Sequence, residues 1–572
     1  MADPIYPALR GEVEAWIADD PDPRTAAELT AMLSSNDLAG IKKCFSGFLE
    51  FGTAGLRGRM GPGPSQMNRA VVTRTAAGIA RYMKDRGLTS VVIGRDARHG
   101  SEAFARDSAE IFAGAGIEVY LLPRPLPTPV LAFTLRDLQL DLAVMVTASH
   151  NPPEDNGYKV YLGGEVDGIG YHGSQIIAPA DRQIFDEIKS IPTIRDLPRG
   201  NQWTTLDESV IRRYVHSAAR LATKAREITV VYTALHGVGT ETLRSVFHAA
   251  GFAEPILVSE QAEPDPDFPT VAFPNPEEKG AIDLALERAR DFDADLVIAN
   301  DPDADRCAAA IKENRSGQWR MLRGDEVGIL LGNHIAEMLS PEARMRATFA
   351  NSIVSSSALA KVAHHFGLRF TETLTGFKWL AKVEGLTFGY EEALGYCVDS
   401  ASVNDKDGIS AALMITDLAA RLKEEGSSLS EYLDGIWRRI GYHATKQVSL
   451  RFDDLSLIPP LMETLRAHPP QEIDVTGSQQ ASPMRYRFHS LDDLAQPRDG
   501  LPPTEGLRLW YEREGSVNSN DKIRMIIRPS GTEPKLKCYI EVVGDIDERE
   551  SIERIATASG EFISKFLTEA LG

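Results

Sequence analysis

"DLAVMVTASHNPPEDNGYKVY", residues 141–161, decides how the rest of the chain is read. Leu142 to Val146 form an unbroken apolar run, the pattern of a short strand buried on both faces. The run stops at Thr147, and Ser149, His150, Asn151 and two prolines follow before Lys159. In layered α/β architecture, ligands bind beyond the carboxyl ends of such strands. Two readings compete: a stiff surface loop, or a serine nucleophile presented at a sheet edge.

Outward from this stretch, β-branched runs alternate with amphipathic stretches, the signature of an α/β fold. The predicted strands are 90–94, 141–146, 228–232, 295–299, 347–350 and 387–389, and helices are predicted over 69–86, 101–114, 280–290 and 327–339. The first forty-five residues read as helical, with apolar residues spaced for a helix at 13–16 and 29–33. The last quarter differs: "GLRLWYERE", "DKIRMIIRPSG" and "KLKCYIEVVGD" read as antiparallel strands before a closing helix. Composition shifts place boundaries near 45, 205, 320 and 445. The domains expected are therefore 1–45, a helical extension, then 46–205, 206–320, 321–445 and 446–572.

At 572 residues the chain is too long for one core. It carries 43% hydrophobic and 25% charged residues, a soluble composition, and no apolar run nears the ~18 residues a membrane helix needs. Its acidic first twenty residues have no signal-peptide core, and four scattered cysteines suggest neither a disulfide framework nor zinc. A cytoplasmic protein is expected. The net charge of −20 argues against nucleic acid or an anionic membrane surface as partner. A small anionic ligand is compatible with it where basic residues are locally concentrated.

Several predicted strands end in polar loops. "DPDADR", 301–306, sets three carboxylates at alternating positions, and hard cations such as Mg²⁺ take oxygen ligands of this kind. An EF-hand would need Gly at loop position six and Glu at twelve, where Arg306 and Lys312 stand. "RPSGTEPKLK", 528–537, joins Arg528, Ser530, Gly531 and Thr532 in a tight turn suited to phosphate. "EFGTAGLRGRMGPG", 50–63, brings Arg57 into a glycine-rich loop without dinucleotide spacing, and no Gly-Lys pair for a Walker loop exists in the chain. "TLTGFKWL" carries Lys378, and "GYEEALGY" carries Glu391 and Glu392, acceptors suited to sugar hydroxyls. Ser149 lies outside any GxSxG elbow. On an extended chain its neighbour His150 would point to the opposite face, which argues against a simple Ser–His pair.

Taken together, "FGTAGLRG", "TASHNPPEDNGYKVY", "DPDADR", "TGFKW", "GYEEALGY" and "RPSGTEPKLK" resemble the α-D-phosphohexomutase family of phosphoglucomutases and phosphomannomutases, in the family's order and over residues 50–540. The "GYEEALGY" form and the N-terminal helices look most like the phosphoglucomutase-2-type branch, some members of which act on pentose phosphates. The resemblance implies three related α/β domains with mixed sheets and a smaller C-terminal α+β domain around a central cleft. It implies a phosphoserine at Ser149, with Asp301, Asp303 and Asp305 holding Mg²⁺ together with that group. Lys159, Lys378, Arg57, Arg306 and His150 would surround the transferring phosphate. Glu391 would meet the sugar, and Arg528, Ser530, Gly531 and Thr532 the non-reacting phosphate. Many members have Ser where this chain has Ala393, which removes one hydroxyl contact to the sugar.

The activity implied is an intramolecular phosphotransferase, an isomerase interconverting sugar 1- and 6-phosphates through a sugar 1,6-bisphosphate that is both intermediate and activator. A phosphopentomutase or a glucose-1,6-bisphosphate synthase is the alternative. The five cations Arg57, Lys159, Arg306, Lys378 and Arg528 would offset a charge of roughly −5 from the aspartates, Mg²⁺ and two phosphate groups. Lys159 or Lys378 is the expected general base. The partner is a small phosphosugar, and the chain is expected to be a monomer or homodimer.

Overall fold

The computed structural model describes residues 7–52, 55–224, 226–452, 454–475, 484–496, 501–515, 522–530 and 535–570. It separates into two compact units. The first comprises Met1–Leu322, Gly376–Phe388 and Ala393–Gly426; the second comprises Arg323–Thr375, Gly389–Glu392 and Ser427–Gly572.

The first unit holds two mixed sheets. In one, strand Ser90–Arg95 lies between parallel partners Glu118–Leu121 and Leu142–Val146, and Asp155–Leu162 runs antiparallel to the latter. All five residues of Leu142–Val146 are buried, which explains the missing polar alternation. In the second sheet, Val230–Thr233 and Leu296–Asn300 are parallel, and Cys307–Lys312 returns antiparallel. Helix Arg69–Asp85 packs on helices Ser101–Gly114 and Ala180–Ser190 within the core shared with the first sheet, and its start is fixed by Asn68, whose Oδ1 accepts from the Val71 N–H at 2.9 Å. Such a cap contributes about 1 kcal/mol. The predicted strands and helices form with ends displaced by a few residues; the helix expected from 280 starts at Asp283, and that expected from 327 starts at Gly324.

The N-terminal helices Pro7–Asp19, Pro23–Ser35 and Leu38–Cys44 form as expected. They are not peripheral, however. Val13, Leu29 and Ile41 are fully buried in the same core cluster as Leu56, Val144 and Val160 of the first sheet.

In the second unit, Thr348–Ser352 and Arg369–Thr373 pair in parallel. The last quarter forms a six-stranded antiparallel sheet ordered Tyr442–Arg451, Lys535–Gly544, Lys522–Pro529, Leu507–Arg513, Met484–Asp493, Glu472–Val475. The closing helix Arg549–Glu569 buries Ile552, Ile555, Ile563 and Leu567. A buried ionic cluster ties this sheet to the 348–375 segment. Glu541 accepts from Ser356 Oγ (2.6 Å), from the Ser357 N–H (2.9 Å) and from Arg524 Nε (2.9 Å), and lies 2.9 Å from His443 Nδ1. Among the described residues, no helix is long and apolar enough to cross a membrane.

One buried carboxyl of this unit yields a pH prediction. Asp325 Oδ1 accepts from the Ser356 N–H (2.6 Å) and from Tyr390 Oη (2.9 Å), and burial pushes its pKa up to about 6. A raised acid pKa stabilises the fold fully below the unfolded value near 4, and that stability is lost as pH rises to about 6. Asn at 325 can keep the same acceptor oxygen without the charge. Asp325→Asn should therefore stabilise the unit by about 1–2 kcal/mol more at pH 8 than at pH 5, read from denaturant melts at both. An effect independent of pH would refute the assignment.

Candidate active site

Strand Leu142–Val146 delivers Ser149 to the sheet edge, where it is 1% exposed. Its N–H donates to Thr147 Oγ1 at 2.9 Å, and its backbone is left-handed, with φ 52°. A non-glycine residue held there costs about 1–3 kcal/mol, which the surroundings must offset. Ser149 Oγ donates to Asp301 Oδ2 at 2.7 Å. It also lies 3.3 Å from His150 Nδ1, contrary to the expectation that neighbours point apart. That expectation presumed extended backbone, and the left-handed Ser149 turns the two side chains toward each other. Burial, followed by the charges of Arg306 and Arg57, lowers the His150 pKa well below its usual value, so the ring is neutral at pH 7.

Strand Leu296–Asn300 delivers the acidic loop. Its turn closes through the Ala304 N–H to Asp301 O (2.8 Å) and the Arg306 N–H to Asp301 Oδ1 (3.0 Å). Two glycines grip this loop. A Cβ on Gly237 would lie 2.3 Å from Pro302 Cα, and one on Gly408 would lie 2.2 Å from Arg306 O. Asp301, Asp303 and Asp305 are fully buried, with one carboxylate oxygen from each within 4.8 Å of the others. Lys159, on strand Asp155–Leu162, donates from Nζ to Asp303 Oδ2 and Asp305 Oδ2, both at 2.6 Å.

The chemistry of the donor set fits a cation. Asp303 Oδ1 and Asp305 Oδ1 are buried and accept no hydrogen bond among the described residues. These two oxygens, with Asp301, could hold a metal ion. The three carboxylates do not share one electrostatic fate. Burial, then the charges of Asp303 and Asp305, pushes the Asp301 pKa up. For Asp305 burial acts in the same direction, but Lys159, Lys406 and Arg306 outweigh it and the pKa falls.

Two residues here escaped sequence reasoning. Lys406 is 7% exposed, and its Nζ lies 3.4 Å from Asp305 Oδ2. Thr128 donates from N–H to Asp303 O (2.9 Å) and from Oγ1 to Asp303 Oδ2 (2.5 Å). A clue was available for Lys406: it lies in "NDKDG", where Asp407 caps a helix and Gly408 meets the acidic loop.

Among the remaining candidates of the first unit, Arg57 sits on strand Leu56–Arg59 paired with Gly157. Its Nε is buried without a hydrogen-bond partner among the described residues, in the field of Asp303, Arg306, Asp305 and Asp301. Arg306 Nε is 3.8 Å from Asp301 and 3.9 Å from Asp305. Lys378 turns elsewhere: its Nζ reaches Gly52 O at 3.4 Å and Asp181 at 3.7 Å, and burial lowers its pKa. Ala393 precedes Leu394, whose carbonyl accepts from the Cys307 N–H at 3.0 Å.

In the second unit, Glu391 ends strand Leu386–Glu391. Glu392 Oε2 accepts from Ser352 Oγ (3.1 Å) and Ser355 Oγ (3.0 Å); burial, then the neighbouring Glu391 charge, raises its pKa. Arg528 lies at the end of strand Lys522–Pro529, and the Ser530 N–H donates to Lys535 O at 2.8 Å. Gly531 and Thr532 lie outside the described residues.

Comparison with known proteins identifies the family of the chain. Residues 49–193, 212–316 and 323–440 match the phosphoglucomutase/phosphomannomutase alpha/beta/alpha domains I, II and III, and residues 492–558 match the C-terminal domain of the same family. A Haemophilus influenzae protein named "Probable phosphomannomutase" is 46% identical, over 84% of this chain and 93% of its own length. The phosphopentomutase of Homo sapiens is 35% identical, over 93% of this chain and 91% of its own. In fold, the chain is similar to the open form of parafusin, a phosphoglucomutase from Paramecium, with a TM-score of 0.63 and 17% identity, covering 91% of this chain and 94% of that one. With all four domains matched in order, the chain belongs to the phosphoglucomutase/phosphomannomutase family, and it is an isomerase of phosphohexomutase type.

Proposed function

We propose that Ser149 carries the phosphoryl group of a sugar-phosphate mutase and that Asp301, Asp303 and Asp305 hold Mg²⁺ beside it. The observation that supports this best is the 2.7 Å contact of Ser149 Oγ with Asp301, next to two buried carboxylate oxygens that accept no hydrogen bond among the described residues. All three ligands are hard oxygens, the donor type Mg²⁺ takes. When bound, the ion would supply charge neutralisation at the transferring phosphoryl group.

The residues of the chain do the rest. A sugar hydroxyl attacks the phosphorus of phosphoserine 149, the bond from phosphorus to Oγ breaks, and a sugar bisphosphate results. The bisphosphate then presents its other phosphate, and Oγ takes that group back as the second sugar monophosphate leaves. Arg57 and Arg306 stabilise charge on the phosphoryl oxygens, which is most of what phosphoryl transfer requires. Lys159 donates to two carboxylates and acts as their counter-ion. Of the two lysines expected as general base, Lys378 is the one not bound to the triad, and its burial favours the neutral amine. The proton of the attacking hydroxyl is therefore assigned to it, on condition that its amine leaves Gly52 and Asp181 when the sugar binds. Lys378 returns that proton to the sugar oxygen that leaves in the second transfer. Glu391 takes the sugar hydroxyls, and Arg528 and Ser530, in the stretch that continues to Gly531 and Thr532, take the non-reacting phosphate.

The sugar is assigned as a hexose, glucose or mannose, interconverted between 1- and 6-phosphate. A pentose phosphate is the second reading, favoured by Ala393 in place of a serine hydroxyl and by the likeness to a phosphopentomutase over 93% of the chain. The deciding experiment compares kcat/KM on the 1-phosphates of glucose, mannose, ribose and deoxyribose, with the matching bisphosphate present. A hexose preference of about tenfold or more is expected, roughly 1.4 kcal/mol of transition-state discrimination. A pentose preference of that size would transfer the assignment to phosphopentomutase.

A further inference from the structure

Arg98 follows strand Ser90–Arg95 and is 4% exposed. The hydrogen bonds its guanidinium makes among the described residues all go to the backbone of the serine loop. It donates to the carbonyl oxygens of Ser149 (2.6 Å), Pro152 (2.8 Å) and Asp155 (3.2 Å), and to that of Asn151. Its charge is matched by Asp96, 3.4 Å from Nε. Asp96 is itself fixed by the Arg98 N–H (3.0 Å) and Ser101 Oγ (2.7 Å). Opposite the loop, the guanidinium carbon lies 4.9 Å from the centre of the Phe268 ring, which is 3% exposed.

Ser149 and Phe268 share an unusual property. Both are left-handed, with φ 52° and 46°, although neither is glycine. A bulky side chain in that region is an outlier, and strained backbone persists only where its surroundings over-determine it. Arg98 contacts both strained residues. A planar fork with five donors can bridge several carbonyls at once, which a lysine ammonium on a flexible stem cannot reproduce.

We propose that Arg98 is the positioning residue that locks Ser149 in its left-handed conformation, with Phe268 as the surface against which the guanidinium is held. The catalytic consequence rests on the phosphoserine reading above; the conformational lock does not. Loss of the lock lets residues 149–155 relax toward ordinary backbone angles and carries Oγ away from Asp301. The expected signature is thus a loss in kcat with little change in KM.

The test uses the full chain with Arg98→Met, Arg98→Lys and Phe268→Leu, the last two being milder changes that decide the matter if Arg98→Met does not fold. Amide hydrogen exchange over 147–157 should accelerate by about tenfold or more, while strand 142–146 stays protected. In the Arg98 variants kcat should fall by about 100-fold with KM changed less than about threefold, and in Phe268→Leu kcat should fall by about fivefold. Arg98→Lys with unchanged exchange and kcat within about twofold of the parent overturns the proposal. Faster exchange in the variants, combined with a parent enzyme that never carries phosphate on Ser149, refutes the phosphoserine reading and leaves the lock standing.

Discussion

Ser149→Ala is expected to lower kcat by about 10⁴-fold or more while the protein stays folded. The two effects separate because the hydroxyl does little for stability. It makes two contacts, to Asp301 Oδ2 at 2.7 Å and His150 Nδ1 at 3.3 Å, and losing them costs about 1–3 kcal/mol. In a chain of this size that lowers a melting temperature by a few degrees and leaves circular dichroism unchanged. The loss in turnover has a different origin. Both transfers use the same Oγ, and among the described residues the other hydroxyl bonded to the acidic triad, that of Thr128, already donates to Asp303 at 2.5 Å. Incubation with a sugar bisphosphate should leave the parent singly phosphorylated by intact-mass measurement and the variant unmodified. Turnover retained in Ser149→Ala would end the nucleophile assignment, whatever the melting curve shows.

What could be read from residues alone follows a physical division. Strand Leu142–Val146 was legible because burial on both faces removes every polar residue from it. The acidic loop was legible because its chemistry lies in residue type and spacing. Contacts that depend on backbone angle or on distant packing were not. The Ser149–His150 approach turns on the sign of one φ, and no glycine marks the position. Lys159 lies outside every strand expected from the sequence, yet it sits in a strand opposite Met145, and that register aims its ammonium at Asp303 and Asp305. Lys406 stands about a hundred residues beyond the triad, and contacts distant in sequence, among them the close approach of Gly408 to Arg306, bring it near Asp305. The N-terminal helices had legible periodicity, but their apolar face is buried in the core of the first sheet, a long-range contact that helical spacing cannot specify. Lys378, grouped with the phosphate cations by sequence, reaches Gly52 and Asp181.

Asp303→Asn should separate metal binding from folding. In the parent, Asp303 Oδ2 accepts from Lys159 Nζ and Thr128 Oγ1, and Oδ1 accepts nothing among the described residues. An asparagine can keep its carbonyl oxygen toward both donors and place its amide where Oδ1 stood, facing the remaining carboxylates. One of three mutually repelling charges is removed, an effect worth about 1–3 kcal/mol in a partly screened interior. Loss of one anion opposite Lys159 offsets part of that. Without metal, the variant should therefore melt no lower than the parent. Removing one charged ligand should weaken divalent-cation affinity by about 100-fold. Added Mg²⁺ should raise the melting temperature of the parent, as for any ligand that binds only the folded state, and leave the variant unmoved. The two melting curves thus change order as the ion is added. Chelation should silence the parent reversibly, with activity restored by Mg²⁺. A variant with parental metal affinity, or a parent that turns over at full rate after thorough chelation, would remove the ion from Asp301, Asp303 and Asp305 and leave Lys159, Lys406 and Arg306 as their counter-charges.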